Sequence, residues 1–205
     1  DQALETSQNL QEFKDDRKVQ RALQVRRANN AVTHTAGQRI AKLVQSLKNF
    51  ARLDEAEFKL VDLHEGIDST LTLVDHELKN RVEVEKSYGT LPPIKCFPNQ
   101  LNQVFMNLFI NAAQATADRG VLSIKTWATE QAVHIAISDT GKGMDSEQQK
   151  RIFDPGFTTK GVGVGTGLGL SISYNIIKKH QGTISVKSQS GQGSTFTIAL
   201  PLDPS

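Results

Sequence analysis

One cysteine, Cys96, occurs in 205 residues. No disulfide can form within the chain, and a reducing compartment suits it. Neither sign of charge dominates: 24 basic residues face 22 acidic ones, a formal net charge of +2. That balance offers no electrostatic case for binding nucleic acid. No apolar run approaches the roughly 20 residues that cross a bilayer, so no direct membrane contact is expected. The opening Asp1-Gln2-Ala3-Leu4 carries neither a signal pattern nor a Met. We read the chain as a cytoplasmic piece of a longer protein whose sensor or anchor lies elsewhere. A G-x-x-x-x-G-K-[ST] loop is also missing, which sets aside the P-loop nucleotide folds.

What is present falls into two textures. Residues 1–58 contain no proline and one glycine, Gly37. They are rich in good helix formers, and two helices are expected, with a break between Asn29-Asn30 and Gly37. In the second, Ile40, Leu43, Val44, Leu47, Phe50 and Ala51 form an apolar stripe at helical spacing. It could pack within the chain or against a second copy. From about residue 60 helical and alternating patterns mix. Helices are expected at 66–80, 98–117 and 168–181. Strands are expected at Val82–Glu85, Val121–Thr126, Val133–Ser138, Thr183–Ser188 and Ser194–Leu200. Leu91-Pro92-Pro93 reads as a break, and residues 139–169 read as a glycine-rich loop. This order predicts an α+β fold, an α/β sandwich with a mixed sheet covered by helices on one face, preceded by a helical hairpin.

Four segments carry candidate chemistry. In the first, Asn107 and Asn111 stand four apart on an apolar helix, so their amides share a face. Such amides either satisfy caps and core groups, or offer oxygen to a hard cation such as Mg²⁺. The second is Asp139-Thr140-Gly141-Lys142-Gly143, directly after a strand. Its carboxylate could accept from an exocyclic amine, and its glycines let backbone approach a flat ring. Asp-x-Gly is also a common turn. The third runs from Phe153-Asp154-Pro155-Gly156-Phe157 to Lys160. The fourth has glycine at 161, 163, 165, 167 and 169. Bare backbone N–H groups that run into a helix favour phosphate, although such a loop can also be ligand-free.

In this order and spacing the four segments resemble the N, G1, F and G2 boxes of sensor histidine kinases, within the ATPase superfamily shared with DNA gyrase, Hsp90 and MutL. The resemblance covers about residues 60–200, and Gly193-Ser194-Thr195-Phe196 through Pro201 is similar to the family's final strand. It implies a Bergerat-type sandwich that binds ATP and Mg²⁺. Asn111 would ligate the metal, with Asn107 supporting the phosphate site. Asp139 would read the adenine amine, helped by Gly141, Gly143 and Thr195. Phe157 and Lys160 would lie in or beside a lid. Gly165, Thr166, Gly167, Leu168 and Gly169 would wrap the phosphates. Asn107 and Lys160 would share the catalytic work. The water-activating branches carry Glu four residues before the metal-binding Asn. Here that position is Asn107, and an amide is no general base. The resemblance therefore favours transfer to a protein over hydrolysis, against the alternatives of an ATP-driven clamp or a non-enzymatic binding module.

The segment Arg39-Ile40-Ala41-Lys42-Leu43-Val44 to Arg52 resembles the second helix of the family's dimerisation and phosphotransfer domain. The implied division is 1–58 for partial phosphotransfer helices and 59–205 for the catalytic domain. The implied partners are a second copy and a response-regulator receiver domain. The acceptor box pairs His with an acidic residue and a later Pro. His64-Glu65 and His76-Glu77 lack that Pro and follow the second helix. His34 has no acidic neighbour; His134 alternates within a strand, His180 stands near a helix C-terminus where a cation is mildly favoured, and neither suggests catalysis. Residues 1–33 contain no His, so the acceptor is expected upstream of Asp1.

Overall fold

The computed structural model describes residues 57–160 and 165–202, and helical positions 17, 19–27, 29, 30 and 33. The expected stripe from Ile40 to Ala51, together with His34, Gly161 and Gly163, lies outside these residues. The chain divides into two compact units, and every described residue from 57 onward belongs to the larger. In the smaller, Asn29, Asn30 and Thr33 are helical, and the Thr33 hydroxyl donates to the Asn29 carbonyl at 2.9 Å.

The larger unit begins with β1 (Lys59–Val61), which pairs antiparallel with β3 (Ile94–Cys96). Between them lie α1 (Leu63–Leu78) and β2 (Val82–Tyr88). Asp62 caps α1 by accepting from the His64 N–H at 2.8 Å. Leu63, Ile67, Thr70, Val74 and Leu78 are its buried stripe. Just past its end, Asn80 takes a left-handed φ of 66° and turns the chain into β2. Next comes α2 (Pro98–Ala115), with proline at its first turn, where no N–H is needed. The hairpin of β4 (Gly120–Ala128) and β5 (Ala132–Asp139) follows. A short α3 (Ser146–Arg151) opens on a capping box between Asp145 and Gln148. The chain closes with α4 (Gly169–Lys179), β6 (Thr183–Gln189) and β7 (Gly193–Pro201).

The main sheet has the order β2-β4-β5-β7-β6. β2 runs parallel to β4, and every other pair is antiparallel. A parallel pair needs a crossover, and β3 with α2 supplies it. α1 packs on α2, and α2 packs on α4. Strand residues alternate in burial, as one covered face requires. Leu122, Ile124, Ile135, Ile137 and Ile198 meet Phe105, Phe109 and Ile177 in a fully buried core. Each such side chain contributes about 1.5–3 kcal/mol by leaving water.

His180 ties the end of α4 to the start of α2. Its ring is buried, and Phe97 donates its N–H to Nε2 at 3.0 Å. The Ile176 carbonyl can only accept, so Nδ1 carries the proton that reaches it at 2.8 Å. The imidazole is therefore neutral, and burial holds its pKa below the usual value.

Candidate nucleotide site

The site forms where α2, the end of β5 and the start of α4 converge. Asn107 and Asn111 point from one face of α2, as their spacing requires. The Asn107 amide donates to the Gly169 carbonyl at 2.9 Å and to the Ser173 hydroxyl at 3.1 Å. Both donors are thereby spent on the first turns of α4. Asn111 presents its Oδ1 to the Lys160 ammonium at 2.9 Å, and the Gln114 side-chain oxygen accepts from the same ammonium. Burial depresses the Lys160 pKa, and the nearby Lys142 charge adds to this.

On the β5 side, Asp139 accepts the Gly141 N–H at 2.9 Å. Burial raises its pKa, while the N–H groups of Gly141 and Ser194 oppose that rise by stabilising the carboxylate. Gly141 is obligatory for space: a Cβ there would sit 2.6 Å from the Ala115 Cβ. The Lys142 N–H donates to the Ala115 carbonyl at 3.0 Å, locking this loop to the end of α2. Gly143 has a φ of +63° and lies against the Gln189 carbonyl.

The third side is built from both flanks of residues 161–164. Phe157 packs against the core, with the Arg151 guanidinium 4.8 Å from its ring centre. Gly165 lies against Thr158 and the Lys160 stem. The Thr166 hydroxyl accepts the Leu168 N–H at 3.4 Å. Gly167, at a φ of +70°, presses on the Gly156 backbone and accepts its N–H at 3.0 Å. Leu168 caps α4 without a side-chain hydrogen bond. The first N–H groups of an α-helix lack intrahelical partners and, with the helix dipole, suit an anion. Gly169 sits where a Cβ would lie 3.5 Å from the Asn107 amide carbon.

One expected residue is not brought to the others. Thr195 pairs with Ser138 in the β5–β7 register, and their hydroxyls meet at 2.9 Å. Successive strand residues face opposite ways, so the Thr195 side chain lies on the sheet face away from Asp139. Ser194 stands opposite Asp139 instead. Counting in twos from the buried Phe196 would have selected Ser194. Gln114 and Ser173 were also missed: each is one helical turn beyond a residue that was noticed, and nothing local marks it.

The residues fit the group that the sequence resemblance implies. An amide oxygen that already receives an ammonium is a suitable ligand for a hard cation, whose remaining ligands are water and substrate phosphate. Among the described residues no group of three or more His, Cys, Asp or Glu could hold a metal by itself.

Known proteins share this chain's sequence pattern and fold. The profile of the family described as histidine kinase-, DNA gyrase B-, and HSP90-like ATPase matches residues 97–204. The sensor histidine kinase ZraS of Escherichia coli K12 is 39% identical over 168 residues, which is 80% of this chain and 36% of ZraS. The signal transduction histidine-protein kinase AtoS of the same organism is 42% identical over 168 residues, covering 80% of this chain and 27% of AtoS. The chain thus spans about a third of the length of these relatives. The catalytic domain of histidine kinase ThkA superposes with a TM-score of 0.64 at 29% identity, covering 71% of this chain and 98% of that one. The chain belongs to the histidine kinase-, DNA gyrase B- and HSP90-like ATPase family, on its sensor histidine kinase branch.

Proposed function

We propose that residues 57–202 bind Mg-ATP and present its γ-phosphate to a histidine of a protein segment outside these residues, for relay to a receiver-domain aspartate. The observation that carries this reading is the convergence of Asn111, Lys160 and the uncapped start of α4 on one side, with the half-buried Asp139 carboxylate on the other. Asp139 takes the adenine amine, and Gly141 leaves room for the ring. Asn111 ligates the metal, which neutralises phosphate charge when bound. The first N–H groups of α4 and the Lys160 ammonium hold the phosphates. Asn107 fixes α4 against α2 and has no basic atom with which to activate water, so transfer to protein is favoured over hydrolysis. In the complete protein, the segment before residue 57 pairs with a second copy and a response-regulator receiver domain docks beside it. Among the described residues no helix is long and apolar enough to cross a membrane.

The test is calorimetric titration of ATP with Mg²⁺ and with EDTA, on the parent and on Asn111→Ala. The parent should bind more tightly with Mg²⁺. Loss of one ligand to a charged group should weaken the Mg-dependent part about tenfold or more. A parent that binds no adenine nucleotide would sink this reading.

A further inference from the structure

We propose that Lys160 is a built-in counter-cation, holding the Asn111 oxygen until a metal–nucleotide takes it, and that Gln114 sets the strength of this hold. The inference rests on the Mg-ATP reading above and concerns the same site. Asn111 and Gln114 are three apart on α2, so their side-chain oxygens face one point. The Lys160 ammonium occupies that point, 2.9 Å from Asn111 Oδ1 and in contact with Gln114 Oε1. Among the described residues no carboxylate pairs with this lysine. Two neutral amides do the work of an anion, and a hard divalent ion seeks the same kind of oxygen.

The two cations exclude one another there. An ammonium and a metal on the same amide oxygen would stand within a few ångströms, in a half-buried place where water screens their repulsion poorly. Entry of the metal–nucleotide therefore displaces Lys160 from α2 toward the phosphates.

Displacement reaches beyond one side chain. The Lys160 N–H donates to the Thr158 hydroxyl at 3.1 Å, and Gly165 is packed against both residues. Gly167, two residues on, bears on Gly156. The lysine thus pins both flanks of the phosphate-facing segment to α2 while the nucleotide is absent. By linkage, whatever loosens the pin favours the metal–nucleotide, and the metal–nucleotide loosens the pin.

Gln114→Leu tests this. The side chain is exposed and lies outside the core, so the fold is preserved. Calorimetry with Mg-ATP should give an affinity roughly threefold to tenfold above the parent's, the range expected from losing one partly exposed hydrogen bond to a charged donor. Hydrogen exchange of the amides at 157–160 and 165–167 should be faster in the nucleotide-free variant than in the nucleotide-free parent. An affinity equal to or below the parent's, or a segment exchanging at the parent's rate, overturns the proposal. The parent separates the two readings. Failure of the parent to bind Mg-ATP defeats the function proposed above, whereas a parent that binds while Gln114→Leu behaves identically defeats only the pin.

Discussion

On the proposed reading Asp139 accepts an amine best as the carboxylate, yet it sits where burial favours the protonated form. The sign follows from that. A carboxylate whose pKa is raised in the folded state destabilises the fold once both states are ionised, and the penalty fades as pH falls through the raised pKa. Nucleotide affinity runs the other way, because protonation on acidification replaces a charge-assisted acceptor with a weaker neutral one. As pH falls from 7 through the raised pKa, the ratio of parent to Asp139→Asn affinity for ATP should therefore fall, a ratio that cancels the nucleotide's own titration. At pH 7 the variant should bind ATP about tenfold or more weakly and discriminate less against GTP, as expected when a charge-assisted acceptor is replaced by a neutral amide that can also donate. Unchanged ATP and GTP affinities in Asp139→Asn would remove the adenine assignment. Thr195→Val supplies the contrast. Its hydroxyl faces Ser138 across the sheet from Asp139, so ATP affinity should stay within about twofold of the parent while urea unfolding shows a loss of about 0.5–1.5 kcal/mol. A large fall in affinity would put Thr195 back in the site.

At the scale of elements, what could be read from the sequence depended on how much of the signal was local. The stripe Leu101, Val104, Phe105, Leu108, Phe109 and Ala112 announces α2 by its spacing alone, and alternation announces β4, β5 and β7. The three-residue strands β1 and β3 were missed: each is too short to show a period, and each exists because the other pairs with it. α3 was hidden in a presumed loop, although Asp145 and Gln148 spell its capping box. Thr195 in place of Ser194 was an error of strand parity, which motif matching ignores and a pleated strand does not. A cation is mildly favoured at the helix end where the sequence puts His180, but its reach to Phe97, 83 residues away in sequence, and the neutral ring that reach requires were not legible. That clasp makes its own prediction. Its pKa is depressed when folded, so the stability it provides is present above the ordinary histidine pKa of about 6.5 and is lost as pH falls through the folded value. His180→Ala should lower urea stability at pH 7.5 by about 1–3 kcal/mol, since it leaves the half-buried Phe97 N–H without its acceptor. Acidification from pH 7 to pH 5 should destabilise the parent more than the variant. Equal slopes would mean that the imidazole does not join α4 to α2 as a neutral acceptor.

At the scale of the molecule, the question is whether the larger unit stands alone. Its core cluster runs from Leu63 to Leu200, so every side chain of that core lies within residues 57–205. The described site residues lie within the same stretch. Both edges of the main sheet, β2 and β6, are contained in it as well. A fragment of 57–205 should then unfold in one cooperative step and bind Mg-ATP with an affinity within about twofold of the whole chain's. Ligand held at a hundred times its Kd stabilises a folded state by about 2.7 kcal/mol. For a domain of this size that corresponds to a rise in Tm of roughly 5–10 °C. Scanning calorimetry with saturating Mg-ATP should show this shift in both fragment and whole chain, and Asn111→Ala should show much less of it. A fragment that melts broadly or gains nothing from Mg-ATP would mean that the segment before residue 57 completes the site, and the boundary at residue 58–59 would have to be withdrawn. A fragment that matches the whole chain would place nucleotide binding entirely in the sandwich and leave the phosphate acceptor to a protein segment outside it.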